Sequence, residues 1–391
     1  MKTTHLISAA LGAALALTSL AGCTTIDQPV AAVSQQPPAG FDAKLQELAA
    51  RDNVGAIGVA RIIDGKVAWQ RYYGERAPGQ PAGPDTVFNT ASVAKTLIAE
   101  LTLRLSDKGL LGLDDPIADF YRYPDLAEDP QYRLLTPRIL LSHQAGLRNW
   151  PYAYDDNKLA FDETPGGGHI SYSGAGITIL AKYLEQRFDA SYPELVQAHV
   201  LGPLGVDEVW VSRVKKLDGR LARSVSSSGK MHDPFRRQPD SDIIAVGEWS
   251  AADNLFATVP GYAQFLIALI EGRALSEAAE AERTRLLSTG PDVLGYNCVL
   301  PADQCPDPLG YGLGWTLFGE PGRMIVNHSG NDFGEHAQVY FSPETGEGLV
   351  MFMTGGEAFE TGLQIIEMVD PDLRMARHYR ALFDDMAANG S

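Results

Sequence analysis

Apolar positions change period along the chain. Phe41, Leu45, Leu48 and Ala49 recur at helical spacing and predict an amphipathic helix. Val54 to Ile63 and Val67 to Tyr73 then read as two strands joined at Asp64-Gly65, a strong hairpin turn. From Ser92 onward Leu97, Leu101 and Leu105 share one helical face, and Thr136-Pro137 supplies the cap and leading proline of a second short helix. An apolar helix is predicted over Ile177 to Phe188, while residues 212–248, rich in Ser, Arg, Lys and Asp, predict irregular surface at a cleft's rim. Met324 to Asn327, Ala337 to Phe341 and Gly348 to Met353 return to strand patterning, with a turn at Pro343-Glu344-Thr345-Gly346, and Leu363 to Phe383 closes as a helix broken at Pro371. Strands at both ends with helices between predict an α+β fold: one antiparallel sheet assembled from both termini, flanked by helices, with a mostly helical lobe over residues 105–260 inserted in its middle.

At 391 residues, 45% hydrophobic and 21% charged, the chain has material for a large core, and its formal charge of −17 argues against nucleic acid or anionic lipid as a main partner. The first residues change the picture. Lys2 precedes an apolar run from Leu6 to Leu20, short of the roughly 20 residues that span a bilayer. Leu20-Ala21-Gly22-Cys23 follows, which resembles a bacterial lipoprotein signal. That resemblance implies a signal peptide over residues 1–22, lipidation of Cys23, a flexible tether over 23–40 and an envelope location facing the periplasm, at the outer membrane since Thr24 is not aspartate; a plain secretory peptide is the alternative. In that oxidising compartment Cys298 and Cys305, flanking a Pro-containing loop, are expected to form a local disulfide. The chain has no His-Glu-x-x-His and no Cys-x-x-Cys, so no metal site is expected.

Candidate chemistry begins at Ser92-Val93-Ala94-Lys95. A serine opening a helix has a lysine one turn on, facing the same way, and the helix dipole together with burial disfavours an ammonium there, so the pair reads as a nucleophile with its base. Spacing alone is weak evidence, because Ser-x-x-Lys recurs at Ser212 to Lys215 and Ser227 to Lys230; neither copy opens an apolar helix, and a simple helix cap at Ser92 stays open. Tyr172-Ser173-Gly174 sits just ahead of the Ile177 helix, and Val326-Asn327-His328-Ser329-Gly330-Asn331 puts a histidine at the end of a strand, followed by small residues against which a substrate can lie. Either residue alone is as compatible with a structural role.

Together and in this order, with Asp114-Asp115-Pro116-Ile117, Leu140-Leu141-Ser142-His143-Gln144-Ala145-Gly146-Leu147 and Tyr311-Gly312-Leu313-Gly314-Trp315 between them, these stretches resemble the serine beta-lactamase and penicillin-binding protein superfamily, specifically its class C-like branch, over residues 41–391. The resemblance implies that Ser92 forms an acyl-enzyme with Lys95 as base, that Tyr172 moves the proton to the leaving group, and that the N–H groups of Ser92 and Asn331 form the oxyanion hole. It further implies that His328, where many relatives have lysine, supplies positive or hydrogen-bonding character to a substrate carboxylate beside Ser329 and Gly330. No cofactor is implied.

Two departures qualify this. The family's second motif ends in asparagine, and here that position is Gly174, so amide recognition falls to another residue, with Gln144 or Asn331 the candidates. Glu335 and His336 follow Gly334 where relatives often carry an aromatic residue, predicting a polar pocket wall. The resulting expectation is a serine hydrolase acting on an ester or a small amide or D-peptide. The alternatives are a class C-like beta-lactamase or D-alanyl-D-alanine carboxypeptidase, and a non-catalytic binder of cell-wall fragments.

Overall fold

The computed structural model describes residues 35–233, 235, 243–290, 295–355 and 358–389. The signal peptide, the Cys23 anchor and most of the tether predicted over 23–40 lie outside the described residues.

Helix α1 (Phe41–Arg51) leads into the hairpin β1 (Ala56–Ile63) and β2 (Lys66–Ala77), extended by β3 (Gln80–Pro81). After β4 (Val87–Asn89) a tight 3-10 turn over Ala91–Ala94 opens α2 (Lys95–Asp107). The middle of the chain carries α3 (Pro137–Leu141), α4 (Gly174–Phe188), α5 (Tyr192–Val196), α6 (Gly202–Leu204), β5 (Val209–Trp210), β6 (Phe256–Thr258), α7 (Val259–Ile270) and α8 (Glu277–Arg283). The chain then returns to strands with β7 (Leu309–Tyr311), β8 (Thr316–Glu320), β9 (Arg323–Asp332), β10 (Glu335–Ser342) and β11 (Glu347–Thr354), and ends in α9 (Ala358–Val369) and α10 (Arg374–Asn389).

The eight-stranded sheet runs β3-β2-β1-β11-β10-β9-β8-β7, antiparallel throughout, so the N-terminal hairpin docks on β11 and the sheet is built from both ends of the chain. Period-two patterning explains the layers on each side. Ile57, Val59, Leu349, Met351 and Met353 point into one core with Phe41 and Leu45 of α1 and Leu363, Ile365 and Ile366 of α9. The alternate positions Ala60, Ile62, Val350 and Phe352 point into the other, with Leu97, Leu101 and Leu105 of α2 and Leu266 of α7. The fold is α+β.

Two features differ from the sequence expectation, and the break at Pro371 agrees with it. Strand β9 runs through His328-Ser329-Gly330 to Asp332 instead of ending at Asn327, because its neighbour β10 stays in register as far as Glu335. The C-terminal helix is broken at Pro371 as expected, into α9 and α10. A second sheet, β4-β6-β5, ties the approach to Ser92 to the far end of the inserted lobe; strands of two and three residues leave no periodicity to read.

Helix α2 is fixed from behind. The buried Glu100 carboxylate accepts from Arg283 Nε at 2.6 Å and Nη2 at 2.9 Å, and Arg104 donates to the carbonyls of Arg273 and Ala274, both at 2.9 Å. Cys298 and Cys305 are joined by a disulfide, with Cα atoms 6.0 Å apart.

Candidate active site

The nucleophile segment is held before it turns. The Leu255 carbonyl accepts from both Thr90 N (2.9 Å) and Thr90 Oγ1 (3.2 Å), and Asn89 Oδ1 accepts from Ala91 N at 3.3 Å. Ala91 then adopts φ 47°, a left-handed conformation that costs a non-glycine residue about 1 kcal/mol or more and here redirects the chain into the turn carrying Ser92. Lys95 opens α2 with its side chain buried, and Nζ lies 2.9 Å from Ser92 Oγ and 2.7 Å from the Ala252 carbonyl oxygen. As an ammonium it donates to both oxygens. As an amine it keeps the bond to Ala252, and its lone pair takes the Ser92 hydroxyl proton across the same separation. Ala252 was not among the sequence candidates, since a carbonyl acceptor leaves no mark on residue type.

Tyr172 closes the other side. Its ring centroid is 4.9 Å from Lys95 Nζ and 4.2 Å from the centroid of the His143 imidazole. His143 grips the Tyr172 loop on both flanks: its carbonyl accepts from Ser171 N at 2.6 Å and its Nδ1 from Ser173 N at 3.3 Å. Ser173 in turn caps α4 by accepting from Gly176 N at 3.0 Å. Burial, with Lys95 and His328 nearby, holds the His143 imidazole well below its ordinary pKa. It is therefore neutral, and with Nδ1 accepting, the proton sits on Nε2, a buried atom without a hydrogen-bond partner among the described residues. His143 stood in a linking stretch of the sequence and drew no role there; its left-handed φ of 53° and its place between Tyr172 and Tyr311 appear only in three dimensions. The Tyr172 hydroxyl has no hydrogen bond among the described residues in this resting arrangement.

His328 reaches the same cluster, where its ring is neutral and hydrogen-bonded. Its Nε2 accepts from the buried Tyr311 hydroxyl at 3.0 Å, and its Nδ1 donates to the Ser329 carbonyl at 2.7 Å. Burial, reinforced by the Lys95 charge, pushes the imidazole down to about 3. A neutral ring with both nitrogens engaged offers no cation to a substrate carboxylate. Burial likewise keeps the Tyr311 phenol well above 10, and so protonated and donating.

Strand β9 supplies an open edge. Its pairing with β8 stops at Asn327, opposite Thr316, so the β8 side of residues 328–332 carries no neighbouring strand among the described residues. Gly330 sits against the nucleophile turn so closely that a Cβ there would lie 2.1 Å from the Thr90 carbonyl oxygen and 3.0 Å from Ser92 N. Gly314 makes a similar approach on the other flank, at φ 72°, with a Cβ position 2.4 Å from Ala99 of α2. Ser329 is half-buried and Asn331 exposed beside Ser92.

Residues 41–364 match the beta-lactamase family. The chain belongs to the beta-lactamase family. It is 25% identical over 303 residues to penicillin-binding protein 4 of Amycolatopsis lactamdurans, covering 72% of this chain and 76% of that protein. It is 36% identical over 132 residues to esterase EstB of Burkholderia gladioli, covering 32% of each. The octameric penicillin-binding protein homologue from Pyrococcus abyssi shares the fold, with a TM-score of 0.68 at 21% identity over 84% of this chain and 76% of that one. With Ser92 and Lys95 in contact, this is a serine hydrolase of the beta-lactamase superfamily.

Gly174 stands where the sequence resemblance implies asparagine, and Trp150 lies against it. A Cβ there would fall 2.2, 2.6 and 2.7 Å from Cζ2, Cη2 and Cε2 of Trp150. The indole occupies the space that the family's asparagine side chain would need. The nearby Asn149 does not replace it, since its Oδ1 accepts from Gly174 N at 2.7 Å. Both expected substitutes already hold hydrogen bonds. Gln144 donates to Ser142 Oγ at 2.7 Å and accepts from Gly168 N at 3.0 Å, bracing the glycine-rich loop, while Asn331 Oδ1 bonds His336 Nδ1 at 3.0 Å.

The polar pocket wall is also absent. Glu335 and His336 alternate to opposite faces of β10, and both are buried. The Glu335 carboxyl, raised well above its ordinary pKa by burial, accepts from Ser224 Oγ, and His336, pushed down to about 4 by burial, packs on Phe359 of α9 with ring centroids 5.1 Å apart.

Proposed function

We propose that this chain is a hydrolase of esters, and of small amides or D-peptides less efficiently, working through an acyl-enzyme on Ser92. The observation that carries the reading is the run Ser92 Oγ, Lys95 Nζ, Ala252 O at 2.9 and 2.7 Å, set beside the open edge of β9.

The steps follow from that arrangement. The substrate lies along residues 328–332 with its carbonyl oxygen toward the N–H groups of Ser92 and Asn331, which stabilise the tetrahedral oxyanion, a contribution of roughly 3–4 kcal/mol per donor. Lys95 takes the Ser92 proton as Oγ attacks. Tyr172, stacked against Lys95, carries a proton to the leaving group and later removes one from the water that hydrolyses the acyl-enzyme. The preference for esters rests on Gly174 and His328. An ester carbonyl needs no amide-binding side chain, and the site presents neither the asparagine amide nor a charged residue at 328. The similarity to an esterase points the same way.

We place this activity at the bacterial cell envelope, facing the periplasm, through a lipid on Cys23, on the strength of Leu20-Ala21-Gly22-Cys23; incorporation of labelled palmitate in wild type, lost in Cys23→Ala, is the expected result. Substrate class is tested by turnover of 4-nitrophenyl butyrate against nitrocefin. Ester turnover exceeding nitrocefin turnover is expected, and the reverse order would make beta-lactam hydrolysis the better account.

A further inference from the structure

Tyr311 is buried at the end of β7 and has no part in the steps above, yet it touches His328 and His143 at once. Its hydroxyl donates to His328 Nε2 at 3.0 Å, and its ring stands edge-on to His143, centroids 4.8 Å apart, which in turn backs Tyr172. The phenol is held in place through its backbone. Tyr311 N donates to the Ser288 carbonyl at 2.8 Å, its own carbonyl accepts from Leu287 N at 2.9 Å, and Ser288 Oγ donates to the Ser142 carbonyl at 2.6 Å, next to His143.

The consequence is a choice of tautomer. A neutral imidazole carries one N–H, and a carbonyl oxygen only accepts. With Nδ1 2.7 Å from the Ser329 carbonyl oxygen and Nε2 accepting from Tyr311, the His328 proton belongs on Nδ1. Without the phenol, no partner of Nε2 among the described residues enforces that choice.

The carbonyl capped in this way sits beside the reacting oxygen. Backbone groups two residues apart in a strand point to the same edge, so the Ser329 carbonyl shares the open edge of β9 with the Asn331 N–H, a donor to the oxyanion. Its negative end opposes charge developing on a substrate oxygen there, and no strand N–H arrives from β8 to offset it. The His328 Nδ1–H does.

We propose that Tyr311 is a positioning residue for hydrolysis: by holding the His328 proton on Nδ1 it keeps the Ser329 carbonyl capped beside the oxyanion hole. The proposal rests on the hydrolase reading for where the oxyanion forms, whereas the tautomer it requires is a property of the resting protein.

The test combines NMR of the full chain carrying isotope-labelled histidine with kinetics on 4-nitrophenyl butyrate. The His328 signals are those missing from His328→Asn. A proton on Nδ1 in wild type and a mixture of tautomers in Tyr311→Phe are expected. Tyr311→Phe keeps the ring against His143, so it should lower kcat about three- to tenfold, less than the roughly hundredfold lost with a direct oxyanion donor, with KM within about twofold. A boronic acid that mimics the tetrahedral intermediate should lose affinity by the same factor. His328→Asn keeps an N–H near the Nδ1 position and needs no tautomer, so its kcat should exceed that of His328→Leu by about threefold or more, and the Tyr311→Phe effect should shrink in that background. Melting curves report whether each variant is folded. A wild-type His328 protonated on Nε2, a Tyr311→Phe protein with unaltered tautomer or unaltered kcat, or equal rates for His328→Asn and His328→Leu overturns the proposal. Absence of ester turnover in wild type with the proton on Nδ1 marks failure of the hydrolase reading instead, since the tautomer does not depend on catalysis.

Discussion

Gly174→Asn restores the residue the family's motif carries, and the structure predicts that it fails alone and succeeds only with Trp150 removed. The new Cβ would stand 2.2 to 2.7 Å from three indole carbons, where ordinary contact begins near 3.4 Å, so the indole must shift by about 1 Å or more. Trp150 borders a cavity and can swing partly aside, which places the cost at the ~1–3 kcal/mol typical of overpacking. The backbone adds nothing to it, since Gly174 is outside the left-handed region and asparagine replaces the poorer helix former. In a Trp150→Ala background the clash is gone, so Gly174→Asn should be neutral or stabilising by up to ~0.5 kcal/mol. The cycle therefore predicts a coupling of about 1–3 kcal/mol between the two positions by urea denaturation. The double variant should also gain a persistent penicillin adduct on Ser92. Equal effects of Gly174→Asn in both backgrounds would refute the claim that the indole occupies the asparagine's place.

Three further outcomes are expected. His143→Asn should lower kcat about ten- to hundredfold with KM nearly unchanged, because His143 positions Tyr172 without touching substrate, and steady-state kinetics with melting curves separates this from unfolding. His328 and His336 titrate near 3 and 4 in the folded protein and near 6.5 when unfolded, so the unfolded chain binds more protons between these values; stability should fall as pH drops from about 6.5 toward 4, by up to ~1.4 kcal/mol per pH unit per histidine, and His336→Gln should flatten that slope. Gly330→Ala should reduce activity at least about a hundredfold, since its methyl would stand 2.1 Å from the Thr90 carbonyl, which belongs to a turn anchored by two bonds to Leu255; near-normal turnover would contradict the close approach of β9 to the nucleophile.

Much of this fold was legible in the sequence because its central strands are buried on both faces and helices such as α1 on one, patterns that survive in the order of residues. β1, β10 and β11 announce themselves as apolar runs, and α2 by Leu97, Leu101 and Leu105. Ser92 and Lys95 were legible for the same reason, as two polar residues one turn apart on an otherwise apolar helix start. What stayed hidden depends on tertiary contact. His143 looks like any linker histidine until Tyr172 and Tyr311 close around it. Gly174 reads as a lost function until Trp150, distant by 24 positions, fills the gap. Whether His328 is positive or only hydrogen-bonding was left open by the sequence, because residue type carries no information about burial, and burial decides it.

The central claim is that Ser92, activated by Lys95, is the acylated residue. Intact-protein mass spectrometry after brief exposure to a fluorophosphonate, on wild type, Ser92→Ala and Lys95→Ala, tests it most directly. A single adduct in wild type, mapped to Ser92, absent in Ser92→Ala and strongly slowed in Lys95→Ala, is the predicted result. An adduct that persists in Ser92→Ala, or a wild-type protein that takes no label, would contradict it.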